Sequence, residues 1–449
     1  MTTCTQENKG VHKERKPLLW LPYLLVIAVF AIYTLRVDVF FGDEYFRSVN
    51  WKGQSLLQFV FLDRYQSFSG RWLLDLFLCL IGDVVWIWRV LNIFFSVVIV
   101  LALDHLLSLK TFWEKMMLAI LLLLYPFESM AGAGWMSTTA VYWWVLAALL
   151  VSFIPVKMSL EGKKPAVWQW IVYLAATCYA CNQEQAAILF LVVAAAAIVT
   201  KRLRDGKWSV MPFQIVQIIV AAAMLLSVIA GPANGLRQEQ EIAAHFANFG
   251  SFGLFEKLYL GVTHTFDMFF ALPGMLMFPL AVLILFAAWR KRGKADGPVF
   301  LAAVPLLYTI LYSYLIVLFP QLVQWFYSHY NAETFVFTNM TTWFPVFFTI
   351  LWIIAMLKTL WDARGGGWKD FCLPAAIFLG GGMTTVAMGF SPTVYASGTR
   401  TDLFLWFALI YLACLLMAKR REDPGTESFE KIFAFVGGFC AIVEVAMKL

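Results

Sequence analysis

An all-α, polytopic membrane fold is what this sequence predicts, with about thirteen transmembrane helices (eleven at the fewest) in one domain over 18–449. Three observations carry it. Hydrophobic residues fill 61% of the 449 positions and charged residues only 14%, against about a quarter charged in soluble domains. Mean hydropathy is +0.74. Apolar runs recur along the whole chain, most of them near the roughly 20 helical residues needed to cross about 30 Å of hydrocarbon. The net charge of +6 does not argue for nucleic acid, because in such a chain Lys and Arg mark cytoplasmic loops.

The first run, near 18–36, follows a basic tail over 1–17 that carries Lys9, Lys13, Arg15 and Lys16. No small-residue cleavage pattern closes it, so it reads as a retained anchor and not as a signal peptide. Residues 37–83 form the longest loop. Six runs follow near 84–106, 116–128, 137–155, 166–181, 186–200 and 211–230, the second, fourth and fifth of these being short. A long run at 262–289 comes next, then 298–319, 341–358, 371–389, 402–418 and 430–447. With the tail inside, alternation puts the basic clusters at 110–115, 157–164, 201–207, 290–294, 358–369 and 419–431 inside as well. Shifting the count by one run scatters those clusters over both faces, so the bias fixes the expected topology.

Every unusual polar constellation then falls in an extracytoplasmic loop. In 37–83 the pair Asp43 and Glu44 arrives just after the first run, and a membrane-hugging amphipathic helix is expected between Tyr45 and Leu62. A carboxylate beside the membrane can act as general base toward a hydroxyl, a contribution of roughly 10² to 10⁴ in rate; the plain alternative is a solvated acid or helix cap. Arg71, Arg237 and Arg400 lie in outer loops otherwise poor in basic residues. A guanidinium fork matches phosphate oxygens and would stabilise a departing phosphate; each could instead be an interface anchor. The turn Asn182-Gln183-Glu184-Gln185 is a second polar island in apolar surroundings, where a charge needs a cavity or a partner.

Other features carry less. Trp135, Tyr142, Trp143, Trp144 and, in 320–340, Trp325, Tyr327, His329 and Tyr330 read as interfacial belt residues or as platforms for sugar rings. His245 and His264 lack the spacing of a zinc site, and Cys178 and Cys181 are a CxxC inside an apolar run with no second pair. EF-hand, P-loop and dinucleotide-binding fingerprints are absent, so neither metal nor cofactor is expected.

The layout resembles the GT-C class of integral-membrane glycosyltransferases, and is similar to bacterial glucosyltransferase-like proteins that modify O-antigen or other surface glycans. The residues that carry the resemblance are Gly42-Asp43-Glu44-Tyr45, Gly70-Arg71, Gly134-Trp135 through Tyr142-Trp143, Asn182 with Glu184, Pro232-Ala233-Asn234 with Arg237, and Ser391-Pro392 with Arg400. The resemblance implies a sugar donor linked to polyprenyl phosphate, a glycan or lipid acceptor, and inverting transfer on the outer face of a bacterial inner membrane. It implies Asp43 as base with Glu44 as the near alternative, Arg71, Arg237 and Arg400 on the donor phosphate, and Asn182, Glu184 and Asn234 as orienting residues. Two other classes stay open: a polymerase or ligase using similar donors, and a transporter or flippase of lipid-linked sugars.

Overall fold

A computed structural model describes residues 16–39, 42, 55–81, 84–271, 275–321, 340–418 and 425–448. Every regular element among them is helical. In chain order the helices of ten residues or more are α1 (Leu21–Arg36), α2 (Trp72–Ile81), α3 (Val85–Leu107), α4 (Phe112–Leu123), α5 (Trp144–Leu160), α6 (Val167–Cys181), α7 (Glu184–Asp205), α8 (Pro212–Ile229), α9 (Ala233–His245), α10 (Leu254–Phe266), α11 (Met277–Arg292), α12 (Gly297–Leu318), α13 (Met340–Ala363), α14 (Trp368–Val386), α15 (Leu403–Ala418) and α16 (Thr426–Lys448). Asp43 and Glu44 lie outside the described residues, as do most of the expected helix between Tyr45 and Leu62 and the aromatic cluster Trp325 to Tyr330.

Eight helical segments among the described residues are long and apolar enough to cross a membrane. They are Leu18–Arg36, Val85–Leu107, Trp135–Leu160, Glu184–Asp205, Pro212–Ile229, Thr342–Ala363, Trp368–Phe390 and Gly398–Ala418, which makes the chain a multi-pass membrane protein. The other five expected runs take different forms. The run near 116–128 is the 12-residue α4 and that near 166–181 the 15-residue α6; at 1.5 Å per residue both stop well short of 30 Å. The run at 262–289 is divided between α10 with its π-helical extension Asp267–Ala271 and α11, on either side of Pro273 and Gly274 in the sequence, the two residue types least able to continue a helix. α12, Gly297–Leu318, covers the run at 298–319 as one helix with Pro305 inside it, and α16 opens with Glu427, Glu430 and Lys431.

Local chemistry sets several boundaries. Thr111 and Glu114 form a reciprocal capping box at the start of α4. Gln183 caps α7 by accepting the Ala186 N–H at 2.7 Å. Small residues set the closest packing: α7 and α14 lie side by side, and a Cβ at Gly380 would stand 2.9 Å from Leu189 Cδ1, the close approach that membrane helices use in place of a hydrophobic driving force.

The aromatic residues around α5 are not interfacial. Trp143 and Trp144 are fully buried, and Trp135 and Tyr142 nearly so. The two fully buried indoles find partners inside the bundle: Trp143 Nε1 donates to Ser96 Oγ at 2.9 Å, and Trp144 Nε1 to Asn92 Oδ1 at 3.0 Å. Asn92 Nδ2 continues to Thr34 Oγ1 at 2.9 Å, tying α1, α3 and α5 together. An unpaired indole N–H buried in apolar surroundings would cost a few kcal/mol, so these tryptophans and their partners act as one unit of the core.

Candidate functional site

The first turns of α2, the segment 133–142, the start of α7, one side of α9 and the segment 387–400 line a cavity of about 410 Å³. It brings together Arg71, Arg237, Arg400, Glu184 and Asn234, five of the residues singled out in the sequence.

Arg71 reaches the cavity through a backbone crossing. A Cβ at Gly70 would run into the Val228 carbonyl, and one at Gly231 would stand 2.8 Å from Gly70 Cα. Backbone on both sides leaves nothing flexible to give way. Gly70→Ala is therefore expected to destabilise the protein by about 3 kcal/mol, the upper end of overpacking costs, and to displace Arg71. Thermal unfolding in detergent checks this, with Gly235→Ala, which has open space beside it, expected to leave stability unchanged. Next along the chain, Asn182 Oδ1 accepts the N–H groups of Leu73 and Leu74 at 3.0 and 3.2 Å, satisfying donors that a helix start leaves unpaired. Asn182 is fully buried and lies behind the cavity wall, where it holds the turn of α2 that carries Arg71.

Each cation has its own setting. Arg71 Nε and Nη2 both meet Glu184 Oε2 at 2.8 Å. Burial works against the Arg71 charge, but Glu184 outweighs it and holds the guanidinium's pKa above its ordinary value. Arg64 Nη2 meets Asp75 Oδ1 at 3.2 Å, and Arg237 Nε meets Glu241 Oε1 at 3.4 Å. Both guanidinium carbons lie over the Phe68 ring, at 3.9 and 5.0 Å from its centroid, an electrostatic attraction of about 0.5–2 kcal/mol each. Arg400 forms no ion pair with a described residue; it packs over Gly132, where a Cβ would stand 2.9 Å from Nη1. Four arginines thus face three carboxylates around the cavity, leaving it positive among the described residues.

Neutral oxygens complete the lining. Ser391 Oγ lies 2.9 Å from Thr393 Oγ1, which accepts the Ser397 hydroxyl at 3.0 Å. Asn234 spends both amide hydrogens on the Val228 and Ile229 carbonyls at 2.8 and 3.0 Å, closing the end of α8. The segment bearing Arg400 is fixed from behind: Gln185 Nε2 donates to the Thr384 and Thr401 carbonyls at 2.7 and 3.0 Å, and His264 Nε2 lies 2.8 Å from Asp402 Oδ1. Cations with a row of hydroxyls suit an oxygen-rich anionic ligand.

Gly42 sits at the same rim. With φ of +63° it lies against the 131–134 turn, where its Cβ would stand 2.9 Å from the Ala133 carbonyl oxygen. Ala133 lines the cavity and Gly132 underlies Arg400.

Sequence reasoning gave no role to Arg64 or to the hydroxyls of Thr393 and Ser397 beside Ser391. Arg64 had a visible signal, a second guanidinium seven residues before Arg71 in the same loop. The helix α7 fixes where the cavity lies. Twenty residues separate Glu184 at the cavity from Arg204, about 30 Å of helix, which matches the hydrocarbon thickness. The cavity and the basic cluster at 201–207 are therefore at opposite ends of the bundle. Comparisons with models of known families, with curated proteins and with solved structures return no match to this chain.

Proposed function

We propose that the protein is a membrane glycosyltransferase of the GT-C type with thirteen membrane passes, which moves a sugar from a polyprenyl-phosphate donor to a hydroxyl of a surface glycan or lipid on the extracytoplasmic face of a bacterial inner membrane. What supports it is the meeting of Arg71, Arg237 and Arg400, drawn from loops more than 300 residues apart in sequence, in one cavity at the end of the bundle away from the basic clusters.

In this scheme the acceptor oxygen attacks the anomeric carbon as Asp43 takes its proton. The bond from that carbon to the phosphate oxygen breaks with inversion, and polyprenyl phosphate leaves with the bonding electron pair. The arginines stabilise the charge that builds on the departing phosphate. Asp43 is one peptide bond from Gly42, and Gly42 lies against the turn that underlies Arg400. Glu44 is the alternative base. Glu184 orients Arg71, Asn234 holds the loop before Arg237, and Asn182 acts through the start of α2.

The test is transfer of radiolabelled sugar from a panel of polyprenyl-phosphate donors to cell-surface glycan extracts by the purified protein in lipid. The expected result is protein-dependent label in the glycan with release of polyprenyl phosphate. Movement of intact lipid-linked sugar across sealed vesicles, with no transfer, would instead establish the transporter class.

A further inference from the structure

A second cavity, of about 250 Å³, runs between α3, α5, α7, α14 and α15 at the other end of the bundle. Its walls are almost wholly apolar, including Leu149, Phe153, Val193, Ile377 and Phe407, while its charged lining among the described residues is Lys157, Glu161 and Arg204. The lining on and just past α5 extends from Leu146 to Glu161, fifteen residues or about 22 Å of helix. That is most of the thickness of a bilayer core. So modest a volume over such a length makes a slot shaped for a hydrocarbon chain, not a chamber for a compact ligand. Phe407, stacked edge-on against Trp143 and Tyr125, closes the deep end.

The mouth is basic. Lys157 belongs to the cluster at 157–164, Arg204 to that at 201–207, and Arg204 Nη2 reaches Asp370 Oδ1 at 3.3 Å, beside the cluster at 358–369. Three basic loops therefore meet at one opening. Lys157 is held inward by the His105 carbonyl and the Ser108 hydroxyl. Arg204 spends Nε on the Lys369 carbonyl and Nη2 on Asp370, so its Nη1 remains to serve a ligand. Basic pockets between membrane helices on the cytoplasmic side are where anionic head groups bind, and an apolar cavity of this size does not fill stably with water.

From this geometry we infer that the slot binds one anionic phospholipid, with an acyl chain between α5, α7, α14 and α15 and its head group at Arg204 and Lys157. The inference is independent of the proposed transferase activity. The occupant is a leaflet lipid and not the sugar donor, because the slot opens some 30 Å of α7 away from the arginine cavity.

The experiment uses the full chain, delipidated in detergent and then exposed to phosphatidylglycerol or phosphatidylcholine, with retained lipid counted by native mass spectrometry. One phosphatidylglycerol retained per protein, and phosphatidylcholine lost on washing, is the expected result. Arg204→Gln should lower retention about five-fold, the effect of one basic contact with an anionic surface. Ile377→Trp, which fills the slot, should abolish it. If that variant does not fold, a diazirine-bearing acyl chain on phosphatidylglycerol answers on the wild-type protein: labelling should map to 146–160, 189–193, 373–377 and 404–411. Equal retention of both lipids, or labelling confined to residues outside the slot, would overturn the inference.

Discussion

Asp43→Asn is expected to lower sugar transfer by roughly 10² to 10⁴ while leaving the amount of folded protein unchanged, because the amide keeps the shape of the carboxylate and loses only its capacity to accept a proton. At 1.36 kcal/mol per tenfold, that is about 3 to 5 kcal/mol of barrier, large enough to separate from any effect on expression. Glu44→Gln serves as the companion. On the assignment made here it changes transfer by less than about tenfold, since the neighbouring acid is outside the proton path. A reversal, with the large loss at Glu44, would keep the mechanism and exchange the base. Transfer preserved in both variants would remove the carboxylate mechanism altogether.

Much of the architecture was legible because membrane helices announce themselves by composition. The residues near 84–106 and 402–418 had to be helical once they had to be buried in hydrocarbon, where every backbone polar group needs an internal partner. The polar loops were legible too, since Arg71, Glu184 and Arg400 stand out against apolar flanks. What could not be read was pairing. Arg71 and Glu184 are 113 residues apart, and nothing local to either one says that they meet. The tryptophans misled for the same reason: Trp143 and Trp144 have the composition of an interfacial belt, and only the hydroxyl and amide of Ser96 and Asn92, on another helix, make them core residues. Asn182 reads from sequence as a polar residue at a loop, and its oxygen is engaged by a helix start 109 residues away.

The pairing also ranks the arginines, and Arg400→Ala is expected to have the larger effect among them. Arg71, Arg64 and Arg237 each face a carboxylate at 2.8 to 3.4 Å, so part of the field each offers an incoming phosphate is already offset. Arg400 faces none among the described residues and is only partly exposed, so its charge is both directed into the cavity and incompletely screened. Losing one group that stabilises developing charge costs on the order of 10² to 10³ in turnover, and that loss is expected for Arg400→Ala. Arg237→Ala should cost less, since Glu241 at 3.4 Å already offsets part of its charge. Arg400→Lys, which keeps the charge and loses the planar fork, should fall between wild type and alanine. The discriminating readout is turnover under saturating donor. An effect confined to KM would make Arg400 a ground-state binding residue, whereas a fall in kcat would tie it to the departing phosphate. A loss at Arg237 larger than that at Arg400 would show that an unpaired charge is not what the cavity uses.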